Sequence, residues 1–238
     1  VKKILDYQFQ ALHHQRMVLT PFYNPHEQEI VRSVIGKELK VLSYGGFTNA
    51  ENQRMIICPD FYEIEKSDFE IQLVEVIYRQ QFGRIQHKDI LGALMNLGIK
   101  RECVGDIFDG ERCFFACTKQ TYPYIIQTLK QIKKSKIKLQ ECHEDIEIVH
   151  DYTSRSFILS SMRLDKVVST MFKVPRALAS EAIRNRHVKV NYKIVEEVSY
   201  LCHNSDIVSF KHHGRVKIVD ENKQTRQGNY VVSGYFYK

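Results

Sequence analysis

The stretch Ser160-Ser161-Met162-Arg163-Leu164-Asp165-Lys166-Val167-Val168 decides how the chain is read. A helix begun within it places Leu164, Val167, Val168 and Met171 on one face. Arg163, Lys166 and Lys173 are left outside, the pattern of a helix laid on a core. Pro175 opens a second helix, where its missing N–H has no partner to lose. Leu178, Ala179, Ala182 and Ile183 line the inward face of that helix. Arg176 and Arg184 lie eight residues apart, about 80° around the axis, so both reach one surface. The alternating Val188-Lys189-Val190-Asn191 predicts a short strand, and Asp206-Ile207-Val208 starts another. Two basic helices against a small sheet make a compact unit suited to a ribose-phosphate surface.

The charge is concentrated in the same place. The 238 residues carry a formal +7. Residues 1–150 hold 20 basic and 20 acidic side chains, and residues 151–238 hold 15 and 8. Within 163–193, eight cations (Arg163, Lys166, Lys173, Arg176, Arg184, Arg186, Lys189 and Lys193) face only Asp165 and Glu181. The acidic partners that would neutralise a solvated helix by i,i+4 pairing are mostly missing, so the field suits a polyanion.

Upstream, Leu5, Phe9 and Leu12 recur at helical spacing. Asn24-Pro25-His26-Glu27 supplies an N-cap, a first-turn proline and a capping glutamate for a second helix ending near Gly36. Strand-like runs follow at Glu38–Tyr44 and Arg54–Pro59. From Phe69 the order changes. A β-rich run to Tyr78 precedes a helix over His87–Leu97, and strands Val104–Phe108 and Cys113–Cys117 are joined through Asp109-Gly110. A helical stripe of Tyr122, Ile125, Ile126, Leu129 and Ile132 leads to the alternating Lys136–Glu141. That is β-α-β-β-α-β, the order of a ferredoxin-like or RRM-like sandwich. Phe114 and Phe115 are assigned to its core rather than to base stacking. Lys133, Lys134, Lys136 and Lys138 suit either a phosphate backbone or a solvated rim. Residues 142–156, acidic and then Ser/Thr-bearing, read as a linker with a boundary near residue 152. The fold class is α+β: an N-terminal α/β unit (1–68), a central ferredoxin/RRM-like sandwich (69–152) and a basic C-terminal unit (153–238) extended over 211–238 by extra strands, where Val216, Ile218, Tyr230–Val232 and Tyr235–Tyr237 suit a contact surface.

Composition excludes several classes. With 43% apolar and 26% charged residues the chain is not intrinsically disordered. No stretch approaches the roughly 18 apolar residues of a membrane span. Val1-Lys2-Lys3-Ile4-Leu5-Asp6 has no apolar run behind it, so no secretory signal and a cytoplasmic location are expected. The six cysteines contain no C-x-x-C and are assigned as buried thiols, with no metal and no cofactor expected. No phosphate-loop, G-x-S-x-G or H-E-x-x-H motif occurs. His87-Lys88-Asp89 lacks the companions of a kinase loop, and Asp89 is assigned to a helix first turn. His212-His213 and Cys202-His203 are isolated pairs.

Arg163-Leu164-Asp165, Arg176, Ala179, Ile183, Val188-Lys189-Val190-Asn191 and Asp206-Ile207 resemble, in order and spacing, the αL-type S4 RNA-binding domain over about residues 157–210. That family usually has Ser where Pro175 stands and favours Gly at Arg186, Tyr192 and Ser205. Gly would ease a left-handed turn there, so mild strain is expected near Asn185-Arg186. The run Phe82-Gly83…His87-Lys88-Asp89-Ile90-Leu91-Gly92-Ala93-Leu94…Gly98-Ile99-Lys100-Arg101-Glu102-Cys103-Val104-Gly105-Asp106-Ile107 resembles the central block of YlmH-type S4 proteins. Pro21-Phe22…Pro25…Glu27 and Gly45-Gly46-Phe47…Glu51…Arg54 are similar to their N-terminal region.

The resemblance implies rRNA and tRNA partners on a large ribosomal subunit carrying obstructed peptidyl-tRNA, in ribosome-associated quality control. It implies no small-molecule substrate and no membrane partner. Arg163, Lys166, Lys173, Arg176, Arg184, Arg186, Lys189 and Lys193 are the expected phosphate contacts, with Asn191 near a ribose or base edge. Two alternatives stand beside a non-catalytic binder: an RNA-modifying enzyme delivered by the S4 unit, and an interaction adaptor linked to division. Against the first, only 28 residues follow Phe210, too few for a pseudouridine synthase domain. Asp165 is accordingly assigned to helix capping or arginine pairing rather than catalysis.

Overall fold

The computed structural model describes residues 2–148 and 152–237. They fall into two compact units, Val1–Ile148 and Val149–Lys238. The boundary expected near residue 152, with Asp151 beside it, falls next to residues 149–151, which lie outside the described residues.

The first unit opens with α1 (Lys2–His13), β1 (Val18–Leu19), α2 (Pro25–Ile35), β2 (Lys40–Tyr44) and β3 (Arg54–Cys58). The capping box read from Asn24 and Glu27 is present at the start of α2, and Gly36 closes it at φ 71°. The three strands form a sheet in the order β1-β3-β2. Then come β4 (Ile71–Tyr78), α3 (His87–Asn96), β5 (Val104–Asp109), β6 (Cys113–Thr118), α4 (Tyr122–Thr128), β7 (Gln131–Ile132) and β8 (Ser135–Glu141). The antiparallel order β5-β6-β4-β8-β7 puts the chain-central strands where a ferredoxin-like sandwich needs them. Phe114 and Phe115 are buried, as core assignment required. The helical stripe after Tyr122 stops a turn early. Ile132 stands in β7 instead, because Lys133-Lys134 form a tight turn and β7 pairs back onto β8.

Two buried charges tie these halves into one body. Arg54 donates to the carbonyls of Thr20, Phe69 and Glu70 at 2.8–3.0 Å. Asp106 on β5 accepts from the backbone N–H groups of Glu51 and Asn52 and from the Asn52 side chain. Burial pushes the Asp106 carboxyl up, and these hydrogen bonds oppose the rise. Phe22, Phe47 and Ala50 share a core with Leu73, Phe114 and Ala116. Gly105 sits in that seam, where an added Cβ would lie 2.7 Å from the Phe22 ring.

The second unit comprises β9 (Tyr152–Leu159), α5 (Leu164–Met171), α6 (Arg176–Arg184), β10 (Val188–Val190), β11 (Lys193–Ile194), β12 (Ile207–Phe210), β13 (Gly214–Gln224) and β14 (Tyr230–Tyr237). Its sheet runs β11-β10-β12-β13-β14-β9. The Ser/Thr-bearing end of the expected linker is therefore strand: Tyr152–Leu159 pairs along β14 and sends Phe157 and Leu159 into the core. One face of the sheet, carrying Val188, Val190, Val208, Val216, Ile218 and Val232, packs under α5 and α6. Burying these side chains is worth roughly 1.5–3 kcal/mol each before entropy is counted. The inward face of α6 is narrower than expected. Ala179, Ala182 and Ile183 are buried, but Leu178 is 43% exposed because it sits at the edge of that small-residue stripe.

Candidate nucleic-acid interface

Helix α5 carries an acidic residue on its buried side. Asp165, 2% exposed, sits in the first turn and accepts from Arg163 at the helix start and Arg176 at the start of α6. Arg163 Nε donates to Oδ1 at 3.1 Å and Nη2 to Oδ2 at 3.4 Å. Arg176 Nε and Nη2 both donate to Oδ2, at 2.9 and 2.7 Å. Burial alone would raise this carboxyl, but the two guanidinium groups outweigh it and hold Asp165 below the ordinary value. Both of its oxygens are taken and its proton affinity is low, so it is ill suited to act as a base. Its effect is to fix two cations side by side on neighbouring helices.

Each guanidinium has five N–H donors and gives two to Asp165. Arg163 and Arg176 remain 39% and 53% exposed, with their other donors open to a ligand. The loop after β11 secures the site from behind: Leu164 N–H donates to the Tyr200 carbonyl at 2.8 Å, and Cys202 N–H to that of Met162 at 2.9 Å.

The other expected site residues separate into groups. Lys166 is half-buried on α5, and Lys173 and Arg184 are exposed at the ends of α5 and α6. Among the described residues none of these three has an ion-pair partner. Exposed Arg186 pairs with Glu196 at 3.2 Å. Lys189 lies between buried Val188 and Val190, and so on the sheet face away from the helices. Lys193 is at the exposed β11 edge. Asn191 is engaged: its amide donates to Asp206 at 2.7 Å and accepts from the Ile207 N–H at 2.9 Å, which fixes the β10–β11 turn. Lys133 is also engaged, with Asp89 at 2.6 Å, and Asp89 accepts from the Gln86 N–H as a first-turn carboxylate.

The strain expected from missing glycines is present. Arg186, Tyr192 and Ser205 have φ of 62°, 68° and 70°. At the end of α6 the Arg186 N–H bonds to the Ile183 carbonyl and the His187 N–H to that of Ala182, a Schellman turn with arginine at its left-handed position. Helix α5 ends similarly, with Lys173 at φ 54° and the Val174 N–H on the Ser169 carbonyl. A non-glycine residue in this region costs about 1–2 kcal/mol. Here both helices place a cation on it, where the negative end of the helix dipole favours positive charge.

Comparison with known proteins follows the same division. The model described as "Putative RNA-binding domain in YlmH" matches residues 65–145, that of the N-terminal part of YlmH residues 1–62, and the S4 domain residues 162–208. A Bacillus subtilis (strain 168) protein, "Ribosome-associated protein quality control protein P2", is 33% identical over 222 residues, 92% of this chain and 86% of the relative. The chain belongs to the YlmH family. A solved structure described as "Cell division protein ylmH from Streptococcus pneumoniae" is 32% identical, with a TM-score of 0.50, over 59% of this chain and 90% of that one.

Within this YlmH-family chain, the sequence gives the cations of the S4 match and reads added strands with a contact surface over 211–238, but not which residues meet on that surface. Arg215 and Lys217 of β13 share a face with Lys189 and with tyrosines from three elements. The only signal was the alternation in β13 and β14, and which residues meet depends on strand order.

Proposed function

We propose that this chain is a non-catalytic RNA-binding protein of the cytoplasm. It docks on structured rRNA of the large ribosomal subunit and on obstructed peptidyl-tRNA held there, in ribosome-associated quality control. The observation that carries the reading is the Asp165 clamp, which orients Arg163 and Arg176 on the two helices that also carry Lys166, Lys173 and Arg184, three cations with no ion-pair partner among the described residues. Oriented guanidinium groups suit a phosphate backbone whose strands have a fixed spacing, as in folded RNA. The S4 match and the name of the Bacillus subtilis relative support the ribosomal setting.

Phosphate contacts supply affinity on this reading and RNA shape supplies selectivity. The central unit, matched by the model named for RNA binding, adds a second contact and so an effective-concentration gain. The test is RNA binding measured against salt. Arg184→Ala should flatten the log–log slope by about 0.7–0.9, the value for one lost phosphate contact. An unchanged slope removes Arg184 from the interface.

A further inference from the structure

We propose that the open face of the C-terminal sheet is a second RNA site, which takes unpaired nucleotides by stacking them on tyrosines. It rests on the reading that the chain binds RNA, but uses the layer of the unit opposite the Asp165 clamp.

Register defines the face. Val216 pairs with Phe236 and both point to the core, so their neighbours Arg215, Lys217, Tyr235 and Tyr237 point outward. Lys189 pairs with Ser209, and Ser209 with Arg215. Tyr237 pairs with Tyr152, and Tyr235 with Ser154.

The aromatic rings form a preorganised group. The Arg215 guanidinium lies 3.9 Å over the Tyr237 ring, and its Nη1 donates to the Tyr192 hydroxyl at 3.4 Å. Tyr152, 43% exposed, meets Tyr237 at 4.8 Å and Tyr235 at 6.4 Å. Arg215 covers one face of Tyr237, and both tyrosine contacts are edge-on, at 74° and 87°, rather than parallel stacks across the sheet face. A base can lie on such a face, as bases do on the sheets of single-strand-binding modules.

Charge selects the occupant. Lys189, Arg215 and Lys217 line the face, beside Ser154, Ser156, Ser209 and Ser233 and the apolar Ile158, Ile207, Val219 and Val231. Among the described residues Glu221 brings a carboxylate to the face, and it accepts from Ser233 toward the far end. Tyr192 adds an independent indication. With Asn191 it forms a two-residue hairpin turn in which both φ are positive, a position where glycine is far easier than tyrosine. A bulky side chain kept there against the backbone preference suggests a use for it.

The probe is a fluorescein-labelled single-stranded oligouridylate, compared with a hairpin RNA. The chain has no tryptophan and 13 tyrosines, so stacking is also read directly as quenching of tyrosine emission. Tyr152→Leu with Tyr235→Leu should weaken oligouridylate binding at least tenfold. Tyr152→Phe with Tyr235→Phe should retain it within about twofold, and Arg163→Ala with Arg176→Ala should reduce hairpin binding far more than oligouridylate binding. Ultraviolet crosslinking of the unmodified protein gives a readout independent of variant folding, with crosslinks expected in β9 or β14. Equal affinity in the leucine variant, or crosslinks confined to α5 and α6, would overturn the proposal while leaving the clamp reading intact. Loss of all RNA binding by the clamp variant would instead mean a single site.

Discussion

Asp165→Asn separates geometry from charge at the clamp. The substitution removes one negative charge, so charge counting alone predicts tighter RNA binding. At about 6 Å in water that gain is about 0.7 kcal/mol, or some threefold, and salt reduces it further. The structure gives a larger opposing effect. Asp165 holds Arg163 and Arg176 through contacts of 2.7–3.4 Å. Without it both long side chains must be ordered by the RNA itself, at about 0.5–1.5 kcal/mol each. The net expectation is affinity about twofold to fiftyfold weaker.

Stability should fall as well. Hydrogen bonds to charged groups are worth about 1.5–3 kcal/mol, and both arginines are exposed enough to resolvate, so the loss stays below the 3–5 kcal/mol of a fully buried pair. Hairpin-RNA affinity by fluorescence anisotropy, with circular dichroism to confirm folding, makes the test. Unchanged or tighter binding by a folded Asp165→Asn protein would refute the orientation argument.

Other outcomes follow from the same contacts. Arg186→Gly should relieve the left-handed strain, stabilising the protein by about 0.5–1 kcal/mol while weakening RNA binding; a lower unfolding midpoint would show that the Glu196 pair dominates. The folded-state value of Asp165 lies below its unfolded value near 3.9, so its contribution should be complete above about pH 4 and vanish as pH falls through the folded value. Urea unfolding of wild type and Asp165→Asn should therefore converge in acid, and a constant difference down to pH 2 would contradict that. Gly105→Ala should destabilise the first unit by about 1–3 kcal/mol through collision with Phe22, read as a lower urea midpoint.

What could be read from the chain divides by the range of the interactions involved. The α2 capping box, the Asp109-Gly110 hairpin and the β-α-β-β-α-β order are set within a few residues and were legible. So was the pairing of Asp165 with arginine, because Arg163 is two residues away and Arg176 one helix on. Strand β9 was not, because its Ser/Thr-rich residues become strand only by pairing with β14 some 75 residues later. The roles of Arg54 and Asp106 depend on carbonyls and N–H groups far along the chain. The location of Lys189 away from Arg176 was hidden for a related reason: the two are close in sequence, but a strand alternates faces and a helix does not. The tyrosine face combines both difficulties, since its members come from β9, the turn after β10, and β14.

The most direct measurement is binding of the protein to large ribosomal subunits with and without peptidyl-tRNA, beside a variant with Arg163→Ala and Arg176→Ala. The account predicts tight binding that prefers the tRNA-loaded subunit and falls at least tenfold in the variant. Equal, weak binding by both proteins to both subunits would contradict it.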